Sequence, residues 1–514
     1  MMVRIGIFAL PLVAFLLRLG GAPLFDVDEG AFSEATREMF ARGDFLSTYL
    51  NGEHRFDKPI LIYWLQALAY LAFGATECAF RLPSALAAML WCYAVWHFAR
   101  PRFGADTALA ALAVTATAIG PFAIGRAATA DALLNLLLAL ALFDAWRHLE
   151  SDKRAPLLRA YAWIALGALT KGPIALIVPG AVSFLYCASR GEWRRWLRFV
   201  FDPRGWLILV ALTAPWYAAA LALHGQEFID GFILKHNVKR FTGTLEGHAG
   251  SLFYYALAMP LLLLPWTGPF IASLARMKAD AGTGSDNGLR RFLWIWAGFV
   301  VVFFSLSGTK LPHYALYGAT PLFLLIAVHR DELRHASPHL LPPALLFALF
   351  AFLPALFAML AAGDSGNAYY RAQLAAGPAR ADEMSIYWSA CALAFALWLG
   401  ALILLRHAAI WQRLLAAAAI QVTLLGAVVL PWLGAVLQGP VKEAALFTRD
   451  RPETVVTWRL DVPSVSVYRA AVTPSRAPES GEIAITRLDR VPDEGYEILF
   501  QRGGVAVVRK RDEP

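Results

Sequence analysis

Charge is what this sequence has least of. Asp, Glu, Lys and Arg make up 16 % of its 514 residues, against 58 % hydrophobic side chains, and its mean hydropathy is +0.52. That balance excludes an ordinary soluble domain, in which about 25 % of residues are charged. Cysteine is scarce too. Cys92, Cys187 and Cys391 lie inside apolar runs, Cys78 lies outside them, and no pair has metal or redox spacing, which excludes a disulfide framework. There is no repeat of fixed period and no low-complexity tract beyond the Ala/Leu bias of membrane helices. The first apolar span lacks a small-residue cleavage site after a short core, so it reads as a retained anchor rather than a signal peptide.

What the chain does have is a succession of apolar spans. With about 20 residues to a crossing, they begin near Met1 and then centre near Ala88, Val114, Leu138, Ile164, Ile177, Val210, Leu262, Val300, Phe323, Ala348, Phe395 and Val422, about thirteen in all. A further stretch, 60–73, is short and contains Tyr63, Trp64, Gln66 and Tyr70. If it lies in the interface, the basic clusters at 100–102, 147–159, 190–204, 276–291, 330–334 and 406–413 all fall on one side, as the positive-inside rule requires. If it crosses, the heavily basic 190–204 faces outward. We therefore read 60–73 as a juxtamembrane helix, and the net charge of +8 as a mark of membrane orientation rather than of nucleic-acid binding. The expected fold is an all-α polytopic membrane domain over 1–438 with its first outer loop at 25–80. A small α/β domain follows over 439–514, where the runs 454–460, 482–488 and 505–508 look like strands.

The outer side collects the unusual polar residues. Asp28 and Glu29 precede Phe32, Ala35, Met39 and Phe40 at helical spacing, so their plain reading is a helix start with favourable dipole charge. Lys58, Arg126, Arg240, Lys310 and His313 lie on the same side, and a cation near the bilayer is costly unless it pairs, snorkels or serves a ligand. Together the two sets suit a transfer in which a carboxylate activates an acceptor while cations hold a departing phosphate. A lipid-linked phosphosugar meets that description. Asp57 and His248, with Asp26, His224 or His236, could supply metal ligands, making Zn, Mg or Mn a candidate cofactor. No His pair has tight ligand spacing, however, and single loop histidines are more often simply solvated.

Several motifs are more specific: Asp28-Glu29-Gly30-Ala31-Phe32 with Glu34 and Arg37-Glu38-Met39, Gly43-Asp44, Asn51-Gly52, Phe56-Asp57-Lys58-Pro59-Ile60, Tyr63-Trp64 and Arg81-Leu82-Pro83-Ser84. Further along come Gly125-Arg126 with Asp131, Thr170-Lys171-Gly172-Pro173, Pro265-Trp266 and Lys310-Leu311-Pro312-His313-Tyr314. To about Val328 this order resembles the bacterial protein-mannosyltransferase-like glycosyltransferases, the superfamily that includes the aminoarabinose transferase of lipid A. The resemblance implies a GT-C membrane fold, a polyprenyl-phosphate sugar donor and a cavity on the periplasmic face of the bacterial inner membrane. It assigns Asp28 as catalytic acid group, with Asp131 as second carboxylate and Glu29 beside them. Lys58, Lys310 and Tyr314 go to the lipid phosphate, and Arg126, Arg240 and His313 are added as donor-phosphate candidates. The aminoarabinose enzyme has Glu in place of Asp57 and Arg in place of Ala31.

Three functions follow. The first is sugar transfer from undecaprenyl phosphate to an envelope glycolipid, with lipid A or lipopolysaccharide as leading acceptor. The second keeps the donor and takes Ser or Thr of exported proteins as acceptor. The third, transport, fits less well, since transporters place ionisable groups near the bilayer midplane and show repeat symmetry.

Overall fold

The structure is a computed structural model that describes residues 2–239, 243, 250–282, 288–363, 367–375 and 381–511. Seven of its helices are long and apolar enough to cross a membrane: Glu77–Phe103, Asp131–Ser151, Pro203–Asn237, Leu289–Leu306, Ala336–Ala362, Met384–Leu404 and Ile410–Leu437. The other expected centres fall on shorter or interrupted helices. Ala105–Thr117 and Ile119–Gly125 form one pair bent by 61°, and the apolar stretch around Leu262 is split into Tyr254–Leu262 and Thr267–Leu274. The chain is thus a multi-pass membrane protein whose helices do not all run the full depth.

The stretch read as juxtamembrane is the helix Leu61–Phe73. Its 13 residues span about 20 Å, short of the roughly 30 Å hydrocarbon core. It buries Ile62, Tyr63, Gln66 and Ala67 against the bundle and leaves Leu68, Leu71 and Phe73 exposed as an apolar face. Before it, the outer loop folds as the helix Asp28–Arg42 and a small hairpin of β1 (Tyr49–Leu50) and β2 (Glu53–His54). Asn51 and Gly52, both at positive φ, form its two-residue turn, as this pair favours.

The C-terminal domain is one four-stranded sheet of β3 (Val455–Trp458), β4 (Ile483–Arg487), β5 (Tyr496–Arg502) and β6 (Val505–Lys510), in the order β3-β4-β6-β5. β3 and β4 are parallel and the other pairs antiparallel. Residues alternate between faces: Val455, Ile483, Ile485, Val505 and Val507 pack on the helix Gly439–Phe447 through Val441, Ala444 and Ala445. Val456, Ala484, Ala506 and Val508 form the other face. The three runs expected as strands correspond to β3, β4 and β6. β5 went unread because it is an edge strand whose alternation is largely exposed.

Candidate active site

The helix ends on the side of the 25–80 loop surround two neighbouring cavities. The first, of about 340 Å³, is lined by the polar side chains of Asp57, Lys58, Lys171, His236 and Tyr317 and by apolar ones that include Ile177, Phe303 and Phe304; Tyr314 also lines it. The second, of about 410 Å³, is lined by Asp26, Asp28, Glu29, Arg81, Arg126, Asp131 and His313, among others. The ion pair of Asp131 with Lys171, 2.5 Å between Oδ1 and Nζ, joins them, since Asp131 faces the second cavity and Lys171 the first.

Local sequence explains how these groups arrive there. Lys171 is the last residue of the helix Arg154–Lys171, where a cation suits the dipole. Gly172 follows at φ 75°, and a Cβ there would sit 2.9 Å from Phe232; Pro173 then leads into the helix Ile174–Ser189. Asp131 opens the helix Asp131–Ser151, the favourable end for an anion. Besides Lys171 it accepts a hydrogen bond from the Tyr317 hydroxyl at 3.1 Å, and His313 Nε2 lies 3.7 Å away. The Lys171 ammonium stands 5.5 Å from the Tyr314 ring centre and 5.7 Å from that of Tyr317.

In the first cavity Asp57 is enclosed by basic side chains. Lys58 pairs with it, Arg55 Nη2 donates at 3.0 Å, and His236 Nδ1 lies 2.9 Å away. Burial alone pushes the Asp57 carboxyl up, but Lys58, His236 and Arg55 outweigh it and hold the group well below the usual carboxylate range. Arg55 is in turn laid over the Phe32 ring at 5.3 Å, and Phe32 stacks on Tyr63.

Asp28 is the first residue of its helix, after Val27 at the N-cap, and no side-chain cap bond forms. Asp28 and Glu29 thus start the helix as first-turn acids, where their charge suits the dipole, without a side-chain cap bond. Asp28 is exposed and lines the second cavity; its carboxylate makes no side-chain hydrogen bond or ion pair among the described residues, and its charge is felt by the Arg55 guanidinium.

Glu29, next to it, is the opposite case. It is buried; Oε1 accepts from Arg81 Nε at 2.8 Å and the Ala128 amide at 2.7 Å, and Oε2 from Arg81 Nη2 at 2.7 Å and the Phe25 amide at 2.8 Å. Arg81 adds bonds to the carbonyls of Leu19, Ala22 and Pro23. Glu29, expected among the catalytic groups, is thus a clamp with both oxygens spent. Arg126 lines the second cavity but donates to the carbonyls of Ala14, Leu17 and Arg18 at the end of the first helix. Lys310, expected at the phosphate, lines neither cavity and donates to Ser305 and Ser307 carbonyls at the end of Leu289–Leu306. Tyr314 does line the first cavity and His313 the second. Arg240 and His248 lie outside the described residues.

Of the expected metal set, His248 lies outside the described residues; among the described residues no three His, Cys, Asp or Glu side chains come close enough to hold an ion. Asp57 meets one other candidate, His236, at 2.9 Å, and is otherwise faced by Lys58 and Arg55. His224 is turned to the Ser47 hydroxyl at 2.8 Å, and Asp26 accepts from the amide and hydroxyl of Ser464.

Lys171, Tyr317 and Arg55 were not among the residues assigned from sequence, and His236 was read only as a possible metal ligand. Lys171 was legible within Thr170-Lys171-Gly172-Pro173, and Tyr317 follows Tyr314 by one helical turn. Arg55 and His236 carry no comparable local signal.

Comparison with known proteins decides the family. A family model described as dolichyl-phosphate-mannose-protein mannosyltransferase matches residues 57–218. An uncharacterized protein of Aquifex aeolicus is 30 % identical over 326 residues, covering 63 % of this chain and 73 % of that protein. The chain belongs to the protein-mannosyltransferase-like GT-C glycosyltransferases. A second relative, the undecaprenyl phosphate-alpha-4-amino-4-deoxy-L-arabinose arabinosyl transferase of Erwinia tasmaniensis, is 28 % identical over 69 % of this chain and 64 % of its own length. The chain thus aligns with just under two thirds of that relative. The crystal structure of ArnT from Cupriavidus metallidurans bound to undecaprenyl phosphate superposes with a TM-score of 0.79, at 23 % identity over 98 % of this chain and 97 % of that one. The fold of this GT-C chain is the same, C-terminal domain included.

Proposed function

We propose that this glycosyltransferase moves a sugar from an undecaprenyl-phosphate donor to an envelope glycolipid, with lipid A or lipopolysaccharide as the leading acceptor, on the periplasmic face of the bacterial inner membrane. The observation that carries the proposal is the first cavity, which is lined by Lys58 and Lys171 together with apolar side chains and opens beside the carboxylates of the second. An isoprenoid tail suits Ile177, Phe303 and Phe304, and a phosphate suits the two ammonium groups. The basic loops expected on the opposite face support the orientation.

In this reading the acceptor oxygen attacks the anomeric carbon as the bond from that carbon to the phosphate oxygen breaks, and the lipid phosphate leaves with the electron pair. Lys58 and Lys171 stabilise the charge that develops on it. Where the acceptor is a hydroxyl, its proton passes to Asp28, whose carboxylate is unencumbered. Where the acceptor is a phosphate, already ionised, Asp28 orients it instead. Asp131, held by Lys171 and Tyr317, keeps the ammonium of Lys171 in place.

The test is a mass comparison of envelope lipids and exported proteins from strains with the wild-type gene, no gene, or Asp28→Asn. A sugar-sized mass restored to a glycolipid by wild type alone supports the proposal. The same pattern on peptides moves the acceptor to protein, and no difference in either pool removes both.

A further inference from the structure

We infer that the C-terminal domain completes the active site, with Ser464 and Tyr468 acting as positioning residues that hold the segment 24–30, and therefore Asp28, at the second cavity. The inference rests on the role proposed for Asp28.

Because the Asp28 carboxylate makes no side-chain hydrogen bond or ion pair among the described residues, its place is set by the backbone on either side of it. On the C-terminal flank Glu29 is locked to Arg81 from the membrane domain. On the N-terminal flank the locks come from more than 400 residues away in sequence. The short helix Ser464–Arg469 stands against the helix Asp28–Arg42. Asp26 accepts a hydrogen bond from the Ser464 amide at 3.0 Å and another from the Ser464 hydroxyl. One turn on, the Tyr468 hydroxyl accepts from the Leu24 amide at 2.7 Å and donates to Glu77 Oε1 at 3.1 Å. Between them Ser466 donates to Asn51 Oδ1 at 2.8 Å. The three side chains thus hold positions 24, 26 and 51 of the outer loop from one helix.

Gly30 adds an independent observation. A Cβ at this position would lie 2.0 Å from Asp26 Oδ1 and 2.6 Å from the Ser464 amide. The glycine of Asp28-Glu29-Gly30 therefore leaves the space in which the C-terminal domain docks. The arrangement is that of a preorganised site whose reactive group is positioned by its neighbours.

The experiment compares wild type with Ser464→Ala, Tyr468→Phe and Gly30→Ala in the full-length protein, by amide hydrogen exchange of residues 24–30 and by steady-state transfer from an undecaprenyl-phosphate sugar. We expect faster exchange confined to 24–30 and its contacts. We also expect kcat to fall about ten- to a hundred-fold, as misplacement by about 1 Å can do, with KM for the donor unchanged and Ser464→Thr restoring the rate. Unaltered exchange in all three variants overturns the pinning. Faster exchange with unaltered kcat overturns the link to Asp28, and a rise in donor KM with unaltered kcat assigns the domain to binding instead. If wild type transfers no sugar from undecaprenyl phosphate, the proposed donor is wrong, and the exchange comparison still decides whether the domain holds the segment.

Discussion

The two cavities meet at one ion pair but treat their charges differently. In the first, every carboxylate is matched: Asp57 by Lys58, Arg55 and His236, with Lys171 tied to Asp131 at the boundary. In the second, the neighbours Asp28 and Glu29 divide the work, one carboxylate left to the cavity and the other buried under four donors. A site that binds a phosphate needs fixed cations, and fixing them beside a membrane requires counter-charges. A site that takes a proton needs a carboxylate that is not already committed to donors.

Substitutions should separate these roles, the largest effect falling on the chemistry. Asp28→Asn is expected to lower transfer by about a thousand-fold without altering the thermal transition or undecaprenyl-phosphate binding; a large loss of stability would make Asp28 a structural group like its neighbour. Glu29→Gln should do the reverse to the fold, costing about 3–5 kcal/mol because Arg81 is left as an uncompensated buried charge, measured as a lowered thermal midpoint. Lys58→Ala should weaken undecaprenyl-phosphate binding about ten- to a hundred-fold, read in direct binding with the purified protein. Equal affinity would take the phosphate out of the first cavity.

The smallest effect concerns pH. Burial raises the Asp26 carboxyl from 3.8 to about 7, against the lowering effect of the Ser464 bonds and with the charges of Asp461 and Glu29 adding to the rise. A carboxyl raised on folding contributes stability that is fully present below about pH 4 and lost as pH climbs through 7. The thermal midpoint of wild type relative to Asp26→Asn should therefore fall over that interval. A constant difference between the two would show that Asp26 does not titrate there.

How much of this was legible depended on whether a residue's role is local. Asp28, Lys58 and Asp131 stand at span ends on the outer side, and span position follows from hydropathy, so the sequence brought them to one face. Glu29, Arg126 and Lys310 satisfy the same criterion, yet Glu29 is held by Arg81 and the Phe25 and Ala128 amides, while Arg126 donates to the carbonyls of Ala14, Leu17 and Arg18 and Lys310 to those of Ser305 and Ser307. The supply of donors and carbonyls around a side chain is set by packing between distant segments and leaves no trace in the local pattern. Arg55 shows the same limit from the other side, since only its placement over Phe32 beside Asp57 distinguishes it from any basic loop residue.

The sequence by itself determined that the chain crosses a membrane many times, that a small domain with strands follows, and the family to which it belongs. These follow from hydropathy, charge and short motifs, all local in the chain. Only the tertiary structure decided which charged groups are spent and which are available, and that a helix near residue 464 bears on a carboxylate at residue 28. Contacts between segments so far apart arise from how the bundle and the sheet pack together, because a hydrogen bond depends on proximity in space and not on distance along the chain.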